Sequence, residues 1–301
     1  MTGNFKSTQL FLVVLVTLAW AACFPLIELG HRAAPPLRFA AIRSLIAGAS
    51  IVIPLLIYRR DWLSDWNIWK YSLIVALTYT VMGFGGMFLA DGRVSPGIAT
   101  VLANTQPLIA ATLGFFILGE RLTGRNLFGL FVSLLGIVVI AQESLSALTI
   151  DDGVLGITFI LFGAFGTGAG NVFMKKSANK CDPIALTGLQ FLIGFIILYP
   201  ISHVFEFHLP IDWHPSFFWS LMILAIPGTS LATILWLHLL KKVRLNTLNV
   251  FTFLTPAFGL GIGFLFFEER YSFLDLSGVA LTLFGIYLAT TAPGKVTEVI
   301  E

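Results

Sequence analysis

The sequence predicts an all-α polytopic membrane protein, with ten transmembrane helices arranged as two inverted five-helix repeats. Three observations carry that expectation. The chain is 57% hydrophobic and only 11% charged, where an ordinary soluble domain carries about 25% charged residues. Apolar stretches of about 18 residues or more recur along it, each enough to cross a hydrocarbon core about 30 Å thick. The second half also repeats the first. Residues 107–140 align without a gap on residues 256–289 at a constant offset of 149, with ten identities that include Pro107/Pro256, Glu120/Glu269, Arg121/Arg270 and Gly136/Gly285. An offset near 147 pairs Pro36 with Pro183 and Arg43 with Gln190. Self-similarity over half a chain marks a repeat architecture, and an odd number of spans per copy forces the second copy in upside down.

The first copy, residues 1–147, reads as spans at roughly 9–29, 37–57, 70–90, 95–118 and 124–142. The second, 148–301, reads as spans at roughly 154–174, 184–205, 216–238, 245–267 and 273–292. The two copies form one integrated unit, because few residues remain outside the spans to build a separate soluble domain. Ala19-Trp20-Ala21 in span one resembles a signal-peptide cleavage site, yet the apolar run continues to Ile27 and the repeat needs this helix, so retention is expected. Pro35-Pro36 precede span two, which holds Arg43 about two turns in.

Spans three and eight align Thr78-Tyr79-Thr80 with Pro227-Gly228-Thr229, and Met87 with Trp236. Tyr79 and Trp236 offer an aromatic wall with one polar handle each; for Trp236 the competing reading is the interfacial aromatic belt. Spans four and nine each place a proline inside the bilayer, Pro107 and Pro256. Proline removes a backbone donor and clashes with the carbonyl four residues back, which predicts a local break. In lipid such a break survives only when buried in protein or facing a watery cavity. One face of span four carries Gly97, Thr100, Asn104 and Pro107, and one face of span nine carries Asn246, Asn249, Phe253 and Pro256, with Thr252 and Thr255 flanking. Such a stripe faces protein or water, either as packing glue or as the wall of a pathway. Trp20 and Asn171, in the opening spans of the two copies, are further candidate lining residues.

Spans five and ten begin with Thr123 and Ser272, followed three residues later by Asn126 and Asp275, the spacing of a helix N-cap with a reciprocal partner. The Gly119-Glu120-Arg121 and Glu268-Glu269-Arg270 turns before them therefore read as architectural. Gly166/Gly170 and Gly259/Gly263 suggest close helix packing.

Charge sets the expected orientation. With the N-terminus inside, most of the 18 Lys and Arg residues fall on the cytoplasmic side, including Lys175, Lys176, Lys180, Lys241, Lys242 and Arg244. The 143–152 and 206–215 loops carry none. Both termini are therefore expected in the cytoplasm. Cys23 lies in a span and Cys181 in a cytoplasmic loop, so no disulfide is expected. Arg43 is expected to be structural, paired or bonded to helix carbonyls. No carboxylate sits clearly at the midplane, so nothing in the sequence supports proton coupling.

Matched proline-interrupted helices in inverted halves are the sequence pointer to a transporter's substrate site near the bilayer midplane. The substrate-binding candidates are Trp20, Thr78, Tyr79, Thr100, Asn104, Pro107, Asn171, Trp236, Asn246, Asn249, Thr252 and Pro256. Amides and hydroxyls without a dedicated charge suit a small polar or zwitterionic metabolite, moved by alternating access. The expected partners are that metabolite and membrane lipid; no catalytic residue, metal, cofactor or nucleic acid is expected. The rival is a membrane-embedded enzyme acting on a lipid-linked substrate, which needs a convergent His/Asp/Glu or Ser/His set. His31, His203, His208, His214 and His238 are scattered among ends and loops, and no HExxH pattern is present.

Two five-span copies, each with a proline in span four, then Glu-Arg after twelve further residues, then a Gly-x6-Gly fifth span, resemble the EamA family of the drug/metabolite transporter superfamily. The proline-led opening of span two, with Arg43 following, is similar as well, and the likeness covers nearly the whole chain. Gln190 departs from it, standing where an arginine would match the first copy. The resemblance implies a permease of a prokaryotic inner membrane, often an exporter of amino acids or other small metabolites. It also implies that spans five and ten lie peripheral to the transport core.

Overall fold

The computed structural model describes residues 7–31, 33–90, 93, 102–120, 123–140, 150–266 and 272–290, and regular structure among them is helical throughout. The helices are α1 (Ser7–His31), α2 (Pro36–Tyr58), α3 (Trp66–Ala90), α4 (Gln106–Leu118), α5 (Gly124–Ile140) and α6 (Ile150–Ser177), then α7 (Pro183–Phe205), α8 (Pro215–Lys242), α9 (Leu245–Phe251), α10 (Leu254–Phe266) and α11 (Phe273–Thr290). Within the described residues, α2, α3, α6, α7 and α8 contain helices long and apolar enough to cross a membrane. Shorter apolar helices lie in α1, α4, α5 and α11.

Two helix pairs frame the molecule. α2 lies along α7, at such close range that a Cβ on Gly48 would come within 2.8 Å of the Leu192 nitrogen. Carboxylates tie the pair at both ends. Asp182 caps α7, its Oδ1 accepting from the Ile184 N–H at 2.8 Å and the Ala185 N–H at 3.1 Å, while its Oδ2 accepts from Arg59 at 2.8 Å. At the other end, Glu206 accepts from the Leu37 N–H at 2.8 Å and the Arg38 N–H at 2.9 Å, satisfying two donors that the start of α2 leaves without helical partners.

The second pair is α5 with α11. Ser133 Oγ donates to the Thr282 carbonyl at 3.2 Å and Thr282 Oγ1 to the Ser133 carbonyl at 3.5 Å, a reciprocal contact between residues 149 apart. Gly136 and Gly285 bring the backbones together around it. The expected cap forms at Thr123, whose Oγ1 accepts from the Asn126 N–H at 3.2 Å while Asn126 Oδ1 accepts from the Thr123 N–H at 3.1 Å. Asn126 also reaches across to the Ala289 carbonyl. Outward, Phe128, Phe131, Phe284 and Tyr287 are exposed.

The interior keeps an apolar core but also takes in polar groups, while the exposed surface carries many large apolar side chains. Arg43, Thr80, Asn171, Gln190 and Asn249 are buried, while large apolar side chains such as Phe116, Phe162, Ile196 and Leu265 are exposed. A hydrocarbon solvent imposes that arrangement, because polar groups find partners only inside. The predicted glycine packing holds at Gly166 and Gly170, which bring α6 against the middle of α3. Among the described residues, an added Cβ at Gly259 would meet nothing within 4 Å.

Candidate functional site

The centre of α3 and the corresponding stretch of α8 depart from α-helical winding. Residues Ala76–Phe84 and Ile226–Leu231 are π-helical, a widened turn that frequently marks a functional site. Pro227 supplies a local cause in α8, since it offers no N–H to the ladder. Two hydroxyls then follow the widened spacing: Thr229 Oγ1 donates to the Leu224 carbonyl at 2.7 Å and Ser230 Oγ to the Ala225 carbonyl at 3.0 Å.

Arg43, on α2, points between these segments. It is 6% exposed. Its Nε donates to Thr229 Oγ1 at 2.8 Å, and its guanidinium lies over the Phe84 ring, 4.5 Å from the centroid. Tyr79 packs on Phe84 with ring centroids 5.8 Å apart, and Phe191 of α7 stacks on the same ring at 6.1 Å. The expected carbonyl or acidic partner is missing from the described residues; a hydroxyl and an aromatic face stand in their place. A desolvated cation–π contact contributes about 2 kcal/mol, against a burial cost of several kcal/mol for an ion. The described contacts leave this charge under-compensated.

The sequence offsets relate Arg43 to Gln190 and Thr229 to Thr80. Gln190 is fully buried and neither amide atom has a partner; Thr80 Oγ1 is buried without one too. α7 meets α3 at this point, since a Cβ on Gly194, one turn beyond Gln190, would strike Thr80. One position thus holds a cation and a hydroxyl in contact, and its counterpart a neutral amide and a hydroxyl with unused hydrogen-bonding capacity.

A second cluster joins α1, α6 and α8. Trp236 Nε1 donates to Asn171 Oδ1 at 2.7 Å, and the Trp236 ring meets Trp20 at 5.1 Å between centroids. Trp236 is wholly buried, which overturns the headgroup-belt reading. Trp236 thus joins Trp20 and Asn171, which come from two other, distant spans.

In the stretch around Pro107 and Pro256 the helix tightens two to four residues ahead of each proline. The Thr105 N–H donates to the Leu102 carbonyl at 3.1 Å and the Thr252 N–H to the Asn249 carbonyl at 3.1 Å, both three residues back. Hydroxyls reinforce both turns, Thr105 Oγ1 to Leu102 at 2.6 Å and Thr252 Oγ1 to Asn249 at 2.7 Å. Pro107 then falls in the first turn of α4 and Pro256 in the first turn of α10, where a missing donor is tolerated. The predicted break is thus a tightened turn, with Thr105 and Thr252 still in right-handed helical backbone. Asn249 is 1% exposed and its amide has no partner, as is true of the Asn246 amide.

Of the remaining candidates, Thr78 is half-buried and donates to the Ile74 carbonyl, Asn104 is half-buried in the tightened turn, and Thr100 lies outside the described residues, as do Gly97 and the Glu268-Glu269-Arg270 turn. Sequence reasoning missed the role of Glu120: its carboxylate accepts from the Leu245 N–H at 3.0 Å and the Asn246 N–H at 3.2 Å, capping α9. Nearby, Lys175 Nζ donates to the Leu240 and Val243 carbonyls at 2.5 and 2.7 Å. The recurrence of Glu-Arg was the available signal, but its partner lies 125 residues away.

The sequence profile of the EamA-like transporter family matches residues 7–142 and 154–291. An uncharacterized transporter of Bacillus subtilis is 25% identical over 92% of this chain and 95% of its own length. A protein of Escherichia coli named a probable amino-acid metabolite efflux pump is 27% identical over 92% of this chain and 93% of its own. A crystal structure shares the fold with a TM-score of 0.80 over 95% of this chain and 97% of that one, at 20% identity.

Proposed function

This chain belongs to the EamA-like transporter family, and on that premise we propose that it exports a small polar metabolite such as an amino acid across a prokaryotic inner membrane, by alternating access. It is a multi-pass membrane protein. In this reading residues 1–147 and 148–301 are inverted five-helix repeats forming one transport unit, with both termini cytoplasmic. Substrate binds between the halves near the midplane, contacted by Trp20, Thr78, Tyr79, Thr100, Asn104, Asn171, Trp236, Asn246, Asn249 and Thr252, where Pro107 and Pro256 mark the hinges. The observation that carries the reading is the set of buried amides without partners, at Gln190, Asn246 and Asn249. A buried amide left unmade costs about 1–3 kcal/mol per polar group, and a polar solute replaces the missing bonds. The paired π segments and tightened turns lend support as places where two packings can interconvert. The name of the Escherichia coli relative, a probable amino-acid metabolite efflux pump, favours an amino acid.

The test is uptake and counterflow in proteoliposomes against a panel of amino acids, nucleosides and sugars. Saturable exchange of one class is expected. Exchange no faster than in protein-free vesicles for the whole panel removes the reading.

A further inference from the structure

We propose that Arg43 grips the transported solute through a carboxylate, so that the substrate class is the carboxylate-bearing metabolites. The inference rests on the transport reading above and narrows it.

The guanidinium is held from two sides. Thr229 Oγ1 accepts from Nε at 2.8 Å while giving its own proton to the Leu224 carbonyl at 2.7 Å, so a lone pair of that hydroxyl is fixed toward Arg43. Phe84 covers one face at 4.5 Å. These contacts leave the Nη1/Nη2 edge, the fork whose two parallel N–H bonds match a carboxylate. Among the described residues neither terminal nitrogen has a hydrogen-bond partner, and the ionisable neighbours are Cys23 and Tyr79, not an acid.

Other cations of the molecule show how a structural one is built. Arg38 donates Nη1 to the Leu209 carbonyl at 2.8 Å and Nη2 to the Glu206 carbonyl at 2.9 Å. Arg59 pairs with Asp182 at 2.8 Å. Lys175 gives its ammonium to two carbonyls. Each of the three has a carbonyl or carboxylate on its terminal nitrogens, and Arg43, the most deeply placed, has neither. Burial strengthens the pull of an unpaired cation on any anion that arrives, because water no longer screens it. The counterpart, Gln190 with Thr80, carries no charge but has free donors and acceptors. A solute with an anionic end and a hydrogen-bonding end is therefore oriented, carboxylate toward Arg43.

The test uses the full-length protein in proteoliposomes, with L-amino acids and simple monocarboxylates set against their carboxamides, sugars and nucleosides. The parent is expected to exchange at least one carboxylate and to bind the matching carboxamide at least about tenfold more weakly, the loss of a charged hydrogen-bonded pair. Arg43→Gln should lose that preference, and Arg43→Lys should keep part of it. Equal competition by carboxylate and carboxamide, or exchange only of sugars or nucleosides, leaves the transport reading standing and overturns this one. Exchange of nothing overturns both. Parental carboxylate preference in folded Arg43→Gln also overturns it. Should Arg43→Gln fail to fold, Thr229→Val keeps the charge but removes its positioning acceptor, and an unaltered carboxylate preference in that variant counts against the proposal.

Discussion

At Asn249 an amide is enclosed with no hydrogen-bond partner, a condition that destabilises the resting protein. Asn249→Leu removes that penalty, so its melting temperature in detergent should hold or rise while transport falls. Asn104→Leu should lower transport as well. Parental transport in both variants would reduce the two amides to packing. Asp182, outside the spans, behaves differently because it is fully bonded. Burial alone would raise its pKa, yet the Ala185 N–H, the Arg59 guanidinium and the Ile184 N–H together hold the carboxyl below the usual carboxylate range. A depressed folded-state pKa gives stability that is fully present above the ordinary carboxyl pKa of about 4 and is lost as pH falls through the lower folded value. Asp182→Ala should therefore cost about 1 kcal/mol at neutral pH, measured by thermal unfolding. The gap from the parent should narrow in acid, because the parent alone loses the contribution. A pH-independent gap would mean the carboxylate charge is immaterial.

On the scale of elements, the two tightened turns and the two π segments divide α3, α8 and the stretches around Pro107 and Pro256 into separately wound parts, which the proposed alternating access would use as its hinges. The prolines were legible in the sequence; the turns lie ahead of them, set by Thr105 and Thr252 bonding back three residues. Since Pro107 and Pro256 occupy first turns, Pro→Ala at either should shift stability by no more than about 1 kcal/mol. It also restores a donor and lengthens the uninterrupted helix, biasing the hinge toward one access state, so the transport rate should drop more than substrate affinity does. Rate and affinity measured by counterflow check this, and parental turnover in both variants would make the turns incidental. The π winding escaped the sequence reading because helical periodicity is judged over many residues, and one extra residue in a turn barely alters it.

For the whole molecule, orientation is the property most open to direct test. Single cysteines, Thr123→Cys and Ser272→Cys, in a background with Cys23 and Cys181 replaced, should react with an impermeant thiol reagent from opposite sides of sealed vesicles. Labelling from one side would remove the inverted-repeat proposal, whatever becomes of the substrate. The reciprocal Ser133–Thr282 contact between residues 149 apart supports a twofold relation between α5 and α11. The Glu120 and Glu206 caps show helix starts satisfied by carboxylates from far along the chain.

Helical class, membrane-crossing character and family were settled by the sequence itself. Hydrophobicity over about 20 residues is a local quantity set by the bilayer, and the twice-repeated Pro-x12-Glu-Arg pattern is read along the chain. The surroundings of Arg43 were not. Its contacts come from Phe84 and Thr229, 41 and 186 residues away, and whether a buried charge has a partner depends on which helices stack beside it. The same holds for Trp236, whose indole meets Asn171 across 65 residues. Local pattern says that a polar group enters the membrane; only the packing of distant helices decides what it meets there.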